Sequence, residues 1–438
     1  MTTNPILYTE LHALWAETSA ADRMARFKSM PLADAQEFFR ELSTRNQSEI
    51  ILNLPEREQT VWIRLLDPDD AADLLQETPP QDQQRLLGLL DEATKDDVQA
   101  LLKYREDVAG GLMSPRFARV RPDMTVSEAL TYVRKQAIGR ATETVYTVYV
   151  LDADQHLLGV TSLRTLFASD PHLVIQNVMR KNVVKTTEEA DQENLSRLFA
   201  EHDLIAIPVV DADNRMKGIV TIDDIVDVVQ EEATEDMQKA GGSEALGAPY
   251  LEISLPQMIK KRAGWLTVLF LGEMLTANAM GYFENEIAKA VVLSLFIPLI
   301  ISSGGNAGSQ ASTIIIRAMA LGEVRLTDWW KVMSRELVTG LSLGCILGVI
   351  GLARICVWQH YFKSYGPHSL LIAVTVGISL IGIVLWGTVA GSLLPFVLRR
   401  VGFDPASAST PFVATLVDVT GLVIYFSVAS QILRGTLL

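Results

Sequence analysis

The sequence predicts a multidomain chain with an all-α superhelical N domain, an α/β pair of repeated units, and a five-span α-helical membrane domain. Three observations predict it. Charge divides the 438 residues into unlike halves, with 44 acidic and 28 basic residues in 1–262 (net −16) and 8 and 10 in 263–438 (net +2), summing to −14. One strand–turn–strand pattern is written twice, about 60 residues apart. The second half carries apolar runs long enough for a bilayer, which takes about 20 residues to cross.

Residues 1–108 make the first domain. Its amphipathic runs are interrupted at Leu54-Pro55-Glu56, Asp67-Pro68-Asp69 and Thr78-Pro79-Pro80-Gln81. Proline lacks an N–H and has a preset φ, so it suits the first turn of a helix and marks a start there. Leucine pairs such as Leu74/Leu75 and Leu86/Leu87 supply apolar stripes at helical spacing. Breaks recurring every 11–13 residues or so predict a stack of short helices.

Residues 109–233 hold the repeats. A β-rich run at 144–151 leads through Asp152-Ala153-Asp154-Gln155 to a strand at 158–161. The second copy runs from 205–210 through Asp211-Ala212-Asp213-Asn214 to 217–221. Helical stretches precede each hairpin (126–136, 191–202) and follow it (163–168, 222–229). Residues 234–262 form a linker and connecting helix, acidic and then glycine-rich, ending in Lys260-Lys261-Arg262.

In the membrane domain, 263–438, five spans fit at 263–283, 287–320, 336–358, 370–398 and 409–433. The second and fourth exceed what a bilayer needs and are expected to tilt or break. Lys260–Arg262, Arg325, Lys331, Arg335, Arg399 and Arg400 put one set of loops, and the soluble half, in the cytoplasm. Five spans then leave the C-terminus outside. The first residues lack the charged and apolar regions of a cleavable signal peptide. Net negative charge without a basic patch argues against nucleic acid. Cys345 and Cys356 have neither zinc nor disulfide spacing, and the six histidines form no ligand pair. No nucleophile–base arrangement points to an enzyme.

Asp418 is the most informative residue. It lies in the last apolar stretch, with no basic residue within a helical turn. A carboxylate near the centre of a spanning helix costs roughly 2.5–3.5 kcal/mol, and such groups face a protein interior or a water-filled path. A cation pathway is the first reading, and a carboxylate protonated or hydrogen-bonded to a neighbouring helix is the alternative. Thr415, Asp418, Gly421 and Tyr425 share a helical face, where Gly421 allows a second backbone to approach. Small residues packing there is the competing reading.

A second constellation lies upstream. Residues 301–310 include Gly304, Gly305, Asn306, Ala307 and Gly308 and end in Gln310, with Pro298 before them. Unwound backbone at membrane depth, lining an ion path, is the expectation. Close helix packing would explain the glycines but leaves Asn306 and Gln310 without a role. The lysine and Ser/Thr of a phosphate loop are missing.

The acids of the soluble half suggest control. Asp211, Asp213, Asp223 and Asp224 cluster at the second hairpin, and Asp236, Glu244 and Glu252 continue toward the membrane, with Asp91 a candidate from the N domain. Cations between such carboxylates would relieve their repulsion. A solvated surface charge is the alternative for each one.

The two repeats resemble CBS domains, which pair into modules that often bind adenine nucleotides. The family's ribose-contacting pattern is matched by Gly218-Ile219-Val220-Thr221-Ile222-Asp223-Asp224, with Gly218, Thr221 and Asp224 as the contacts. The first copy, Gly159 to Thr165, lacks the acid. The chain as a whole is similar to MgtE-type magnesium channels. The residues that carry this are Gly304-Gly305-Asn306-Ala307-Gly308-Ser309-Gln310, Phe403-Asp404-Pro405, the run from Thr415 to Phe426, and Ala109-Gly110-Gly111-Leu112-Met113. The resemblance implies a homodimer in the bacterial inner membrane with one central pore. It makes Asp418 the carboxylate selecting hydrated Mg2+, and implies closure by cytoplasmic Mg2+ at the acidic interfaces and ATP as a CBS ligand. Gly247 and Ala248 depart from the pattern by standing where acids are expected. A coupled divalent-cation exchanger and a membrane-anchored nucleotide or Mg2+ sensor are the alternatives.

Overall fold

Proline sets the phase of the first helices. In the computed structural model, which describes residues 15, 18–138, 142–251 and 253–437, seven short helices precede the repeats. They are α1 (Ala20–Ser29), α2 (Leu32–Glu41), α3 (Thr44–Leu52), α4 (Glu56–Ile63), α5 (Pro68–Glu77), α6 (Pro80–Leu87) and α7 (Glu92–Leu101). Pro55 and Pro79 cap α4 and α6, and Pro68 and Pro80 occupy first turns, where a missing N–H costs no hydrogen bond. Phe38, Phe39, Ile51, Ile63, Leu74 and Leu86 are wholly buried in the shared core.

The first repeat contains α8 (Ala109–Leu112), β1 (Phe117–Val120), α9 (Val126–Ile138), β2 (Thr144–Leu151), β3 (Leu157–Ser162) and α10 (Leu163–Ala168). The second contains α11 (Ile175–Val178), β4 (Thr186–Thr187), α12 (Gln192–His202), β5 (Ala206–Val210), β6 (Met216–Thr221) and α13 (Ile222–Ala240). Each forms a three-stranded sheet whose first strand runs parallel to the second and whose third is antiparallel to it. The sequence reading has neither β1 nor β4, because such short edge strands leave no alternating run to detect. Helix α13 also outruns its expected end at 229, continuing to a break at Gly241–Gly242, where Gly242 adopts φ +79°.

The chain divides into two compact units, Met1–Glu231 and Glu232–Leu438. The second holds α14 (Leu255–Tyr282), α15 (Glu284–Lys289), α16 (Ile297–Ala320), α17 (Trp329–Phe362), α18 (Ser369–Val401) and α19 (Thr410–Ile432). Among the described residues four segments are long and apolar enough to cross a membrane, Val291–Ala320, Leu326–Phe362, Ser369–Val401 and Thr410–Ile432. The expected first span, 263–283, is not among them. It is part of α14, whose sequence also takes in Lys260, Lys261, Arg262 and Glu273, and in which no residue is buried.

The unwound segment expected at 301–310 is also absent. Helix α16 is continuous, because Pro298 sits in its first turn and interrupts nothing. The small residues serve packing instead. A Cβ on Gly304 would lie 2.4 Å from Ile383 Cγ2, and one on Gly391 would lie 2.1 Å from the Gly308 carbonyl oxygen. Helices α16 and α18 therefore meet backbone to backbone, as small residues allow in a bilayer. Gly340, Gly344 and Gly348 line the contact of α17 with α18 in the same way.

Candidate functional site

In the soluble unit, one group of three carboxylates among the described residues has the spacing to hold a metal ion. Asp69, Glu143 and Asp224 each offer an oxygen, all within 4.8 Å of one another. Asp69 and Asp224 sit in the first turns of α5 and α13, where the helix dipole favours a negative group. Glu143 immediately precedes β2 and is tethered by its N–H to the Arg116 carbonyl at 2.9 Å. Asp69 is 7% exposed, and its Oδ1, like Glu143 Oε2, is buried without a hydrogen-bond partner. A buried carboxylate oxygen without a donor is costly, so the group fits a cation. Oxygens bound directly to Mg2+ at about 2.0–2.1 Å can be no more than about 4.2 Å apart. A trio whose oxygens all lie within 4.8 Å of one another is close to that limit, and it can hold the ion directly or through a water.

Electrostatics agrees with geometry. Burial, then the carboxylates of Glu143, Asp70 and Asp224, pushes the Asp69 carboxyl well above the usual range. Burial raises Glu143 to about 7 and Asp224 to about 8. The neighbours Asp70 and Asp73 rise to about 6 and about 7, again mainly through burial.

Of the acids singled out from sequence, only Asp224 joins this group. Asp91 caps α7, accepting from the Thr94 N–H at 3.1 Å and its hydroxyl at 2.9 Å. Asp211 closes the second hairpin, accepting from the N–H groups of Asp213 and Arg215 and pairing with Lys217 at 3.3 Å. Asp213 and Asp223 are exposed, Asp236 is half-buried and Glu244 is exposed. Glu252 lies outside the described residues. Asp69 and Glu143 were missed, although Asp69, directly after Pro68 at a helix start, carried a signal. An acid in a helix's first turn reads as a cap until tertiary structure buries it.

The suggested ribose contacts are also occupied. Thr221 Oγ1 donates to Asp224 Oδ2 at 2.7 Å. A Cβ on Gly218 would lie 2.7 Å from the Ser114 carbonyl oxygen, so this glycine serves the bridge between Ser114 and Ile219.

In the second unit Asp418 is half-buried on α19, with no ion-pair partner among the described residues. A Cβ on Gly305 would be 3.8 Å from Asp418 Oδ1, so a bare stretch of α16 faces the carboxylate. The face shared on paper splits. Thr415 packs against Gly272 of α14, Gly421 faces Ile383 of α18, and Tyr425 is buried with its hydroxyl donating to the Leu293 carbonyl at 2.9 Å. Gly421 is therefore closed to a second copy. Gly304, Ala307 and Gly308 are buried in the α16 packing, while Ser302, Asn306 and Gln310 form an exposed polar stripe at four-residue spacing.

Apolar helices around a half-buried carboxylate, joined in sequence to a paired-repeat cytosolic module, define a membrane transport protein for cations. Residues 8–107 match the MgtE intracellular N domain, 107–170 and 175–231 match CBS domains, and 297–428 match MgtE, described as a divalent cation transporter. A magnesium transporter MgtE of Thermus thermophilus is 40% identical over 97% of this chain and 93% of its own length. The Enterococcus faecalis magnesium transporter MgtE is 34% identical over 77% and 72%. A crystal structure of the cytosolic domain of the Mg2+ channel MgtE in complex with ATP is 39% identical, covering 51% of this chain and 92% of that one, with a TM-score of 0.48. The chain belongs to the MgtE family of magnesium transporters.

Proposed function

We propose that this chain is a homodimeric channel of the bacterial inner membrane that admits Mg2+ down its electrochemical gradient and closes when cytoplasmic Mg2+ is high. The observation that carries the reading is Asp418, a half-buried carboxylate in an apolar helix with no basic partner, facing the bare backbone at Gly305. Such a group suits a charge that comes and goes. Mg2+ gives up its water reluctantly, and a carboxylate beside a hydrated path binds it through its shell. Two charges moving inward gain about 4.6 kcal/mol per 100 mV, so influx needs no coupled reaction.

Helix α14 is the fifth span in this reading. Its lack of buried residues suits a helix covered by lipid or by a second copy. The soluble domains are assigned as 1–108, 109–233 and the linker 234–262, with the C-terminus outside. Asp69, Glu143 and Asp224 hold the regulatory cation, whose two positive charges offset their mutual repulsion. Without it these carboxylates push α5 away from α13. ATP is assigned to the paired repeats as a further ligand.

The test is Mg2+ uptake into proteoliposomes by wild type and Asp418→Ala, with Mg2+ buffered on the soluble-domain face. Loss of uptake in the variant and suppression of wild type by Mg2+ on that face are expected. Uptake by Asp418→Ala equal to wild type would sink the pore assignment.

A further inference from the structure

Within the second unit a single ammonium group ties the last turn of α13 to the corner from which α19 starts. Lys239 Nζ donates to Asp404 Oδ2 at 2.7 Å and also pairs with Glu235, one turn back on its own helix. The other oxygen of Asp404 accepts the Ala406 N–H at 2.8 Å and begins the 3₁₀ turn Pro405–Ser407. Three residues on, the Ser409 hydroxyl caps α19 through the Phe412 N–H and accepts from Trp265 Nε1 of α14 at 3.0 Å. Directly after Lys239 the chain turns at Gly242, where a Cβ would lie 3.0 Å from Trp265 Cδ1 and 3.2 Å from Pro411 Cγ. The end of α13 and the N-terminus of the Asp418 helix thus share one set of contacts, and Lys239 supplies an ion pair between them.

Helix α19 is unbroken from Thr410, and Asp418 lies about 12 Å along it at 1.5 Å per residue. A shift of its N-terminus therefore moves the carboxylate as part of one body. On the membrane side the same corner is held by Ser312 Oγ, donating to the Ala408 carbonyl at 2.9 Å, and by Ser309 Oγ, donating to that of Thr410 at 3.2 Å. Those bonds fix the corner to α16, and the Lys239 pair is its charged link to the linker side.

We propose that Lys239 is a positioning residue that, through Asp404, transmits movement of α13 to α19 and so couples the cytosolic Mg2+ signal to Asp418. The inference rests on the reading of the chain as a Mg2+-closed channel. The side chains of Lys239 and Asp404 are 28% and 37% exposed. Pairs this accessible contribute little to folding, so breaking one disturbs coupling before stability.

The experiment measures Mg2+ uptake by full-length wild type, Lys239→Met, Lys239→Arg and Asp404→Asn in proteoliposomes, against Mg2+ on the soluble-domain face. Asparagine at 404 retains an oxygen for the Ala406 N–H while losing the charge. Lys239→Met and Asp404→Asn are expected to conduct as wild type does at low Mg2+. Their half-inhibiting concentration should rise about tenfold, within the range usual for coupling between sites. Lys239→Arg should restore closure. A wild-type inhibition curve in Lys239→Met overturns the proposal, as does loss of its uptake at low Mg2+, which would make the pair part of the pore. Wild type that Mg2+ never closes overturns the channel reading and the coupling together, whereas normal closure in both wild type and variant removes the coupling alone.

Discussion

Asp69 and Asp224 begin two helices of the soluble unit, and their carboxylate oxygens lie within 4.8 Å of each other with Glu143 as the third member. Asp69 Oδ1 has no donor. The arrangement is a repulsive contact that a bound cation would convert into an attractive one.

Asp69→Asn tests that conversion. The amide keeps the shape and removes one charge, so in chelator the variant should melt higher than wild type. Removing one partner of a bound cation should also shrink the stabilisation that Mg2+ adds, since that gain follows ligand affinity. Melting of both proteins with and without Mg2+ reads the two effects, and uptake by the variant should resist closure. An unchanged Mg2+-induced shift would remove Asp69 from the site.

The raised carboxyls give the pH dependence a sign. Unperturbed Asp and Glu titrate near 4. Burial lifts Glu143 to about 7 and Asp224 to about 8, which favours their protonated forms in the fold. Their contribution to stability is complete below about pH 4 and is lost as pH rises through 7 and 8. The cation-free protein should therefore weaken between about pH 5 and 8. Mg2+ must displace these protons, so its affinity should climb over the same window, by up to about tenfold per pH unit for each proton released. Titrations at pH 6.5 and 8 that gave equal affinities would contradict it.

Much of this architecture was legible because it is written locally. Pro55, Pro68 and Pro80 announce helix starts through a constraint on their own φ, and the two hairpins announce themselves by alternation and an Asp-rich turn. Asp418 stands out in the sequence because an acid in an apolar run needs an explanation, and in the fold it is half-buried. What failed depends on contacts between distant segments. The sequence favours unwound backbone at Gly304 and Gly308 over a packing seam, and only Gly387 and Gly391 of α18 decide for the seam. Asp69 and Glu143 could not be joined to Asp224 without knowing that α5 and α13 point their first turns at one spot. The first expected span, 263–283, is part of a helix that also carries Lys260, Lys261, Arg262 and Glu273, and it is not among the four segments that qualify by length and hydropathy.

The packing seam makes its own prediction. A Cβ on Gly391 would meet the Gly308 carbonyl oxygen at 2.1 Å, and backbone on both sides leaves nothing flexible to yield. Gly391→Ala should cost at least the 1–3 kcal/mol or so of overpacking and lower the yield of folded protein in detergent. Gly382 is the control, because a Cβ there meets only Ile424 Cγ2 at 3.4 Å. Gly382→Ala should fold as wild type does. Equal yields for the two variants would mean that α16 and α18 do not meet at this seam.

Tyr425 separates the face read from spacing from the face the fold creates. Helical spacing aligns it with Asp418, which would give its hydroxyl a part in conduction. The structure instead buries it, with its hydroxyl on the Leu293 carbonyl at 2.9 Å and its ring beside Phe426, which stacks on Phe283 at 5.0 Å. Tyr425→Phe keeps the ring and leaves one carbonyl without its donor. Hydrogen bonds between membrane helices average about 0.6 kcal/mol, so melting should fall by a few degrees at most. Mg2+ uptake at low cytoplasmic Mg2+ should stay within about threefold of wild type, because even the whole of about 0.6 kcal/mol placed on the barrier changes a rate by less than that. A larger loss of uptake with unchanged melting would return Tyr425 to the ion path.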